Sequence, residues 1–321
     1  MVQAINQALS QAMEADERVI LLGEDIGKNG GVFRATEGLQ ERFGQHRVVD
    51  TPLAESAIIG TSIGLALNGM RPVAELQFMG FIYPAMDQLG TQAARFRFRS
   101  AGQYSVPLVV RMPFGGGVRT PELHSDSLEV LCTHTPGLKV VIPSTPMDAK
   151  GLLLAAIDDP DPVIVMEPMK LYRAFRQEVP EEPYRIPMGK ARIVREGEDL
   201  TVISWGAPVL LAEKVAARLA EEKGLSLEVI DLRSLVPLDM ETLVQSVKKT
   251  GRVIIVHEAV RTSGFAGEII ARINEEVFYW LEAPVIRVTG YDTPYPVPQV
   301  EDDWLPNERR LYRAVEQVLQ D

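Results

Sequence analysis

Glu55 is the acidic side chain best placed to do chemistry in this sequence. It follows Asp-Thr-Pro-Leu-Ala at 50–54 and opens a run of mostly small and apolar residues. Such a run predicts a buried helix, and a carboxylate at its mouth loses hydration and seeks a proton-sharing partner. The alternative is a first-turn acid that only favours the helix dipole. The position therefore indicates either proton chemistry or a helix start.

His124 is the second candidate, because an imidazole exchanges protons near neutral pH. It follows Pro121 in a segment that is expected to be a loop. Taken alone, a loop histidine is more often a solvated surface group. The histidines, at 46, 124, 134 and 257, have no metal-ligand spacing, so a catalytic zinc site is not expected. No Gly-x-Ser-x-Gly segment offers a serine nucleophile.

The strands and helices that position these side chains are predicted from short apolar runs that alternate with helical patterns. Strands are predicted at residues 19–22, 47–49, 73–76, 108–112, 139–142 and 163–166, with helices that include 55–68, 84–98 and 147–157. Further strands are predicted at 200–204, 227–230, 253–256 and 285–288, and a last helix at 307–318. The alternation predicts an α/β fold with parallel sheets covered on both faces.

Two domains are expected, at residues 1–176 and 191–321, joined by a linker at 177–190. The linker contains prolines among acidic residues, which do not sustain a helix or a central strand. Ligands of open parallel sheets bind beyond the carboxyl ends of the strands. In the first domain, this rule indicates the loops at 23–31, 50–55 and 113–127, and the last two contain Glu55 and His124.

Composition excludes several classes of function. The net charge of −11 repels phosphate backbones, so nucleic acid is not an expected partner. No apolar stretch approaches the length of a membrane span, and the N-terminus lacks the pattern of a secretory signal. Cys132 is the single cysteine and is expected to be a core residue. These features predict a cytoplasmic protein that binds no membrane.

Several separate motifs, in order, resemble the beta subunits of thiamine-diphosphate-dependent 2-oxo acid dehydrogenases. The most specific are Val-Asp-Thr-Pro-Leu-Ala-Glu at 49–55 and Glu-Leu-His-Ser at 122–125. The others lie at residues 75–78, 87–88, 136–143, 148–153 and 229–233. The resemblance runs essentially from end to end. It implies a pyrimidine-binding first domain and a second domain like the C-terminal domain of transketolase.

The resemblance also implies roles for particular residues. Glu55 matches the glutamate that hydrogen-bonds the cofactor's aminopyrimidine and sets its tautomer, which makes it both catalytic and cofactor-binding. His124 matches the active-site histidine, which donates a proton during acyl transfer to a lipoyl group or binds the substrate intermediate. Phe81 matches a position whose aromatic ring packs on the pyrimidine, with simple core packing as the alternative. Gln77 is a weaker candidate for a polar contact with the cofactor, and Leu53 is a further candidate for cofactor binding.

The other half of the family's site holds the diphosphate through Mg²⁺, with a Gly-Asp-Gly segment and a later Asn. This sequence has no Gly-Asp-Gly. The resemblance therefore implies a beta subunit that shares thiamine diphosphate with an alpha subunit in a heterotetramer of two alpha and two beta chains. The second domain is expected to dock onto a dihydrolipoyl acyltransferase core. The acidic segment 301–303 is either a contact for that core or solvated charge.

The family also carries a structural monovalent cation, usually K⁺, held mainly by backbone carbonyls. The positions that match its ligands are Leu108, Ala156, Ile157, Asp159 and Asp161. This sequence has Asp161 where the family commonly has Asn, so the charge of the site differs. Hard oxygen ligands suit a large cation. The alternative is a turn formed by the two Asp-Pro pairs at 159–162 alone.

Pyruvate is the predicted 2-oxo acid, because the loop at 120–127 resembles bacterial pyruvate-type members. The segment at 288–294 instead resembles branched-chain members, so 2-oxoisovalerate is an alternative, as is acetoin cleavage. A transketolase-type half-enzyme and a non-catalytic scaffold subunit of the same fold are further alternatives. Glu55 and His124 argue against the scaffold.

Overall fold

The protein is described from a computed structural model over residues 1–320. The strands of the first half are β1 (Val19–Gly23), β2 (Val48–Asp50), β3 (Arg71–Glu75), β4 (Val109–Phe114), β5 (Lys139–Val141) and β6 (Val163–Pro168). The helices there are α1 (Val2–Ala15), α2 (Leu39–Phe43), α3 (Glu55–Leu67), α4 (Phe96–Arg99), α5 (Glu129–Thr133) and α6 (Pro146–Asp158).

The second half repeats the alternation of strands and helices. Its strands are β7 (Arg192–Arg195), β8 (Leu200–Ser204), β9 (Leu227–Asp231), β10 (Ser234–Val236), β11 (Val253–Val256) and β12 (Ile286–Val288). Its helices are α7 (Pro208–Lys223), α8 (Met240–Thr250), α9 (Ala266–Val277), α10 (Glu301–Trp304) and α11 (Glu308–Gln320).

Among residues 1–320, these strands form two sheets. The first has the order β10-β5-β6-β4-β3-β1-β2 and the second the order β12-β11-β8-β9-β7. β1, β4, β6, β8, β9 and β11 are buried along their whole length, as expected for strands covered by helices on both faces. The predicted α/β class with mainly parallel sheets is confirmed.

Each sheet nevertheless has one antiparallel edge strand that the sequence did not predict. β7 pairs antiparallel with β9, and β10 pairs antiparallel with β5. β10 belongs to the second half of the chain but extends the first sheet, through Ser234 beside Val141. Because the two halves share this sheet, the domain division at residues 177–190 stays a prediction.

Local sequence signals explain where the longer helices begin and end. Thr145 caps α6 by accepting a hydrogen bond from the Asp148 amide at 3.1 Å, and Pro146 occupies the first turn. Asp239 caps α8 in the same way. Gly224 ends α7 in the left-handed conformation that favours glycine. These caps are of the kind that sequence patterns indicate.

Two helical predictions need correction. The helix predicted at 84–98 is irregular: 3-10 turns at Met79–Ala85 and Ala93–Arg95 flank a π-helical stretch at Asp87–Gln92. The helix predicted to be buried all round, α3, buries Ile58, Ile59 and Ile63 but leaves Ala57 exposed. Its exposed side consists of small residues, which cover little surface themselves. No helix in the described chain is long and apolar enough to cross a bilayer.

Candidate functional site

The candidate site lies where neighbouring parallel strands of the first sheet end. β1 lies between β2 and β3, and β4 is the next strand, so the loops after all of them meet at one edge. The Thr51 amide donates to the Gly23 carbonyl at 2.9 Å, and the Asp50 carboxylate accepts from the Gly27 amide at 2.6 Å. The loops at 23–31 and 50–55 are thereby joined, and both border the site as the strand-end rule predicts.

Glu55 lies at the first position of α3, where it is half-buried. Its carboxylate makes no hydrogen bond or ion pair within residues 1–320, and Ala54 before it offers no capping side chain. The neighbouring Glu24 is affected: burial first, then the charges of Asp25 and Glu55, raise the pKa of Glu24. Glu55 is therefore a carboxylate in an acidic setting, with its lone pairs open to a hydrogen-bond donor from outside this chain.

The turn after β3 carries an aromatic group and contacts the start of α3. The Ser56 hydroxyl donates to the Pro84 carbonyl at 2.5 Å and so ties the start of α3 to the Met79–Ala85 turn that carries Phe81. Phe81 packs edge-on against Phe78, with ring centroids 5.8 Å apart. Glu55 and Phe81 are thus positioned by elements in direct contact.

His124 packs against the same aromatic side chains. Its ring centroid lies 4.4 Å from that of Phe78 and 5.1 Å from that of Phe81. Its Nδ1 atom is buried and has no hydrogen-bond partner. A side chain on Gly80 would collide with the Leu123 carbonyl, so glycine is required for the His124 loop to lie against this turn. The structure therefore brings His124, Phe81 and the start of α3 together.

The two remaining cofactor-contact candidates differ in their surroundings. Leu53 is 70% exposed, just before α3. Gln77 is half-buried between β3 and the aromatic turn, and its side-chain amide has no partner among residues 1–320. Both border the edge that holds Glu55, and neither side chain makes a hydrogen bond within residues 1–320.

A buried charge cluster lies under this edge and was missed by sequence reasoning. Arg111 on β4 donates to Glu167 through Nε at 2.8 Å and Nη2 at 2.7 Å, and its Nη1 donates to Glu75. The Tyr172 hydroxyl also donates to Glu167, at 2.6 Å. Burial raises the pKa of Glu75, although Arg111 opposes this effect. The signal in the sequence was a charged residue inside each of three apolar strands.

The Tyr172 ring connects this charge cluster to the aromatic group. It lies 4.8 Å from the ring of Phe33, which in turn lies 5.7 Å from the ring of Phe78. A groove of about 1070 Å³ opens on the other side of Tyr172, with Arg34, Arg173 and Arg176 on its wall. Neither Glu55 nor His124 lines this groove, so it is distinct from the candidate site.

Of the five predicted cation ligands, Leu108 directly precedes β4, and the other four lie at the end of α6 and in the turn after it. The carbonyls of Leu108 and Ala156 accept from the amides of Val163 and Asp159, at 2.9 and 3.2 Å. The Ile157 carbonyl accepts from Arg71 at 2.7 Å.

Both acidic side chains at this position are already neutralised. Asp159 pairs with Lys139 at 2.6 Å, and Asp161 pairs with Arg97 at 2.6 Å. Because side-chain carboxylates here have cationic partners, an added ion would depend on the second lone pairs of the carbonyls. No cluster of three or more His, Cys, Asp or Glu side chains suited to a metal occurs in the described part of the chain.

Two further predictions are resolved by burial. Cys132 is fully buried, and burial raises the pKa of its thiol to about 12, so the predicted core role is confirmed. The prediction that the acidic segment 301–303 is exposed as a whole is wrong for Glu301. Asp302 and Asp303 are about 80% exposed, whereas Glu301 is 1% exposed and points inward.

Comparison with known proteins fits this geometry. Residues 1–174 match the family described as the transketolase pyrimidine binding domain, and residues 189–311 match the transketolase C-terminal domain. A Bacillus subtilis (strain 168) relative, pyruvate dehydrogenase E1 component subunit beta, is 55% identical over 320 residues, which is 100% of this chain and 98% of the relative. This chain belongs to the family of pyruvate dehydrogenase E1 beta subunits.

Other relatives in this family agree. Subunits with the same name from Acholeplasma laidlawii and Staphylococcus epidermidis are 54% and 53% identical, and cover 97% and 100% of this chain and 95% and 98% of their own lengths. A split-gene transketolase, solved as an inactive beta4 tetramer, has a TM-score of 0.80 over 99% of this chain and 97% of its own, at 22% identity. That likeness shows the fold, and the family predicted from the motifs is confirmed.

Proposed function

We propose that this chain forms the pyrimidine-binding half of the active site of a pyruvate dehydrogenase. Support comes from Glu55, a half-buried carboxylate with no partner in the chain, at the start of a helix that contacts the turn carrying Phe81, and from the packing of His124 on Phe81. The names of the relatives favour pyruvate over 2-oxoisovalerate or acetoin. Decarboxylation of a 2-oxo acid and transfer of the acyl group to a lipoyl arm is the proposed reaction.

The residues at this edge fit thiamine diphosphate. Glu55 has lone pairs open to a protonated ring nitrogen, Phe81 presents a ring for aromatic contact, Leu53 is exposed, and the Gln77 amide has no hydrogen-bond partner within residues 1–320. When bound, this cofactor supplies the electron sink that decarboxylation of a 2-oxo acid needs. We propose that Glu55 holds a proton at the pyrimidine ring and that Leu53, Gln77 and Phe81 orient that ring.

His124 is proposed to move a proton during acyl transfer or to bind the substrate intermediate. Its ring is held by Phe78 and Phe81, while the buried Nδ1 has no partner in the chain. A buried polar atom without a hydrogen bond is costly, so such an atom is expected to meet a ligand or a second polypeptide. Imidazole suits proton transfer near neutral pH.

An alpha subunit is proposed to complete the site with the diphosphate and its Mg²⁺. Leu53 and the small-residue side of α3 are exposed in this chain, which leaves an apolar surface for another polypeptide at the cofactor edge. The absence of Gly-Asp-Gly from the sequence also supports a site in which another chain binds the diphosphate. Three further points also stay predictions: assembly as two alpha and two beta chains, docking onto a dihydrolipoyl acyltransferase core, and a cytoplasmic location.

A structural monovalent cation is proposed for the carbonyls of Leu108, Ala156 and Ile157. The side chains of Asp159 and Asp161 already have the cationic partners Lys139 and Arg97, so backbone oxygens would provide the coordination. Replacing K⁺ with choline is expected to lower the thermal midpoint of the alpha–beta complex. An unchanged midpoint would contradict this part of the proposal.

The central test uses this chain combined with an alpha chain that contains Gly-Asp-Gly. We expect decarboxylation of pyruvate, and a loss of about 100-fold or more for Glu55→Gln, since the variant cannot accept and hold a proton. Glu41→Gln is the matched control, because Glu41 is a first-turn acid of α2 and tests the helix-dipole explanation alone. Full activity of Glu55→Gln would remove the catalytic assignment.

The same mixture separates the rival functions. Preference for branched-chain 2-oxo acids, for acetoin or for a sugar phosphate would each replace pyruvate with the corresponding substrate class. Absence of turnover with all of them, despite a stable alpha–beta complex that binds thiamine diphosphate, would favour the non-catalytic scaffold.

A further inference from the structure

The loop that carries His124 is held by carboxylates from the second half of the chain. After β4, the Gly116 amide donates to Glu258 Oε2 at 2.9 Å. The Gly117 and Arg119 amides both donate to Glu301 Oε1, at 3.0 and 3.2 Å. Successive backbone groups of one loop thus meet two side chains that lie more than 140 residues later in the sequence.

Glu301 is buried and is held in position by neighbouring side chains of the second half of the chain. It is 1% exposed at the start of α10, and the Tyr295 hydroxyl donates to its Oε1 at 2.7 Å. The Tyr295 ring packs on Trp304 with centroids 4.9 Å apart. The carboxylate is therefore held by residues outside the loop as well, and hydrogen bonds to a charged acceptor are stronger than those between neutral groups.

Glu258, the second buried carboxylate that holds the loop, lies just after β11 and is 8% exposed. Burial raises its pKa to about 7, while the Gly116 amide and Lys170 act in the opposite direction. Gly115 and Gly117 have φ of +77° and +86°, which favours glycine. A side chain on Gly115 would also approach Glu258, and one on Gly116 would collide with the Tyr295 hydroxyl. The three glycines therefore allow the loop to lie close to Glu258, Tyr295 and Lys170.

The far end of the loop lies against the catalytic side chains. The Gly115 amide donates to the Asp126 carbonyl at 3.1 Å, which closes the loop at its base. The hydroxyls of Thr120 and Ser125 are 2.6 Å apart and brace the turn between them. His124 sits within this closed loop and packs on Phe78. A displacement of the glycine end is thus transmitted to the imidazole.

We propose that Glu258 and Glu301 are positioning residues that fix His124 from the second domain. The proposal rests on the proposed function only for its effect on turnover; the placement of the imidazole is a separate property. The Arg119–Asp302 ion pair is a weaker rival anchor, since its side chains are 60% and 80% exposed and exposed pairs contribute little. Replacing either carboxylate with an amide keeps one acceptor oxygen but removes the negative charge that strengthens these hydrogen bonds, so the loop is expected to move while the Glu55 edge stays in place.

A double-mutant cycle in the alpha–beta complex tests coupling to His124. Glu301→Gln is expected to lower reductive acylation of a lipoyl domain by about 10- to 100-fold, because small misplacements of catalytic groups have effects of this size. Glu258→Gln is expected to act in the same direction. In a His124→Gln background, each change should cost less than about twofold, since coupled residues are not additive. Equal losses in both backgrounds would overturn the proposal.

A second measurement follows the imidazole itself and does not depend on turnover. With ¹⁵N-labelled histidine in the alpha–beta complex, the resonance that disappears in His124→Gln identifies His124. This resonance is expected to shift in Glu258→Gln and Glu301→Gln. Glu228→Gln is the matched control: Glu228 is fully buried in the second half and accepts from Ser246 and Lys249, with no contact to the loop.

The two measurements distinguish failure of the proposal from failure of the proposed function. If His124→Gln leaves turnover unchanged but the resonance shifts, the positioning stands and the catalytic role of His124 does not. If the resonance is unchanged in both loop variants, or shifts equally in Glu228→Gln, the positioning role is wrong whatever the activity.

Discussion

Glu75 and Glu55 lie at the same edge of the first sheet, but their surroundings differ. Glu75 is buried and pairs with Arg111, which also holds Glu167 with two hydrogen bonds. Glu55 is half-buried and has no partner in residues 1–320. The satisfied carboxylate has its partner inside the fold, whereas the unsatisfied one is available to a ligand. Changes in the charge cluster should therefore affect stability first, and changes around Glu55 and His124 should affect turnover first.

The largest effect is expected for Arg111→Met. The substitution leaves two carboxylates without their shared cation in a buried site, so the free energy of unfolding should fall by about 3–5 kcal/mol. Chemical denaturation measures this change. Arg18→Met is the control, because Arg18 makes a comparable pair with Asp16 while 58% exposed, and should change stability by less than about 1 kcal/mol. Similar losses for both would end the contrast between buried and exposed pairs.

The next effect should appear in turnover. Gly80→Ala forces a side chain against the Leu123 carbonyl and displaces the His124 loop. Activity is expected to fall about 100-fold, which corresponds to about 2.7 kcal/mol in the barrier. Gly267→Ala is the matched control, since open space surrounds a side chain at that helical position and alanine favours helices. Gly80→Ala with wild-type kinetics would show that the loop docks without this close contact.

A third prediction uses the pH dependence of stability. Burial raises the pKa of Glu129 to about 7, and its Oε2 has no hydrogen-bond partner. The folded state therefore holds a proton that the unfolded state loses above about pH 4.5, so this group reduces stability as pH rises to about 7.

Glu129→Gln removes that titration and still offers Trp205 an acceptor. Relative to the wild type, its free energy of unfolding should increase between pH 4.5 and 7, by on the order of 2 kcal/mol. Denaturation curves at pH 5 and pH 8 measure the difference. A constant difference between the two chains at both pH values would contradict the raised pKa.

The smallest effect is expected at Asp303. Its side chain is 79% exposed and pairs with Arg309 at 3.5 Å, two positions after the buried Glu301. Asp303→Asn should change stability by less than about 0.5 kcal/mol and leave the acylation rate unchanged. A change as large as that of Glu301→Gln would mean that the acidic segment acts through its total charge and not through one buried carboxylate.

Much of the fold was predictable because its strands are short apolar runs between helical patterns. The edge strand β10 was not, since its three residues pair with a strand nearly a hundred positions earlier and carry no local pattern. The irregular turns at 79–95 were also missed, because their apolar spacing resembles that of an ordinary helix.

In the candidate site, too, some residues could be proposed from the sequence and others could not. Glu55, His124 and Phe81 were proposed as site residues from motifs in the sequence and stay predictions, and the loops that carry them follow neighbouring strands of one sheet. Glu258 and Glu301 were not identifiable, because nothing local distinguishes a buried loop anchor from a surface acid. Asp302 and Asp303 beside Glu301 made a solvated segment the natural interpretation.

The placement of β10 has a consequence for dissection of this chain. A fragment that ends at residue 176 would lack β10 and expose the backbone donors and acceptors of β5 along an open sheet edge. Such edges recruit strands from other molecules and promote aggregation. Expression of the N-terminal portion alone is therefore expected to give insoluble material.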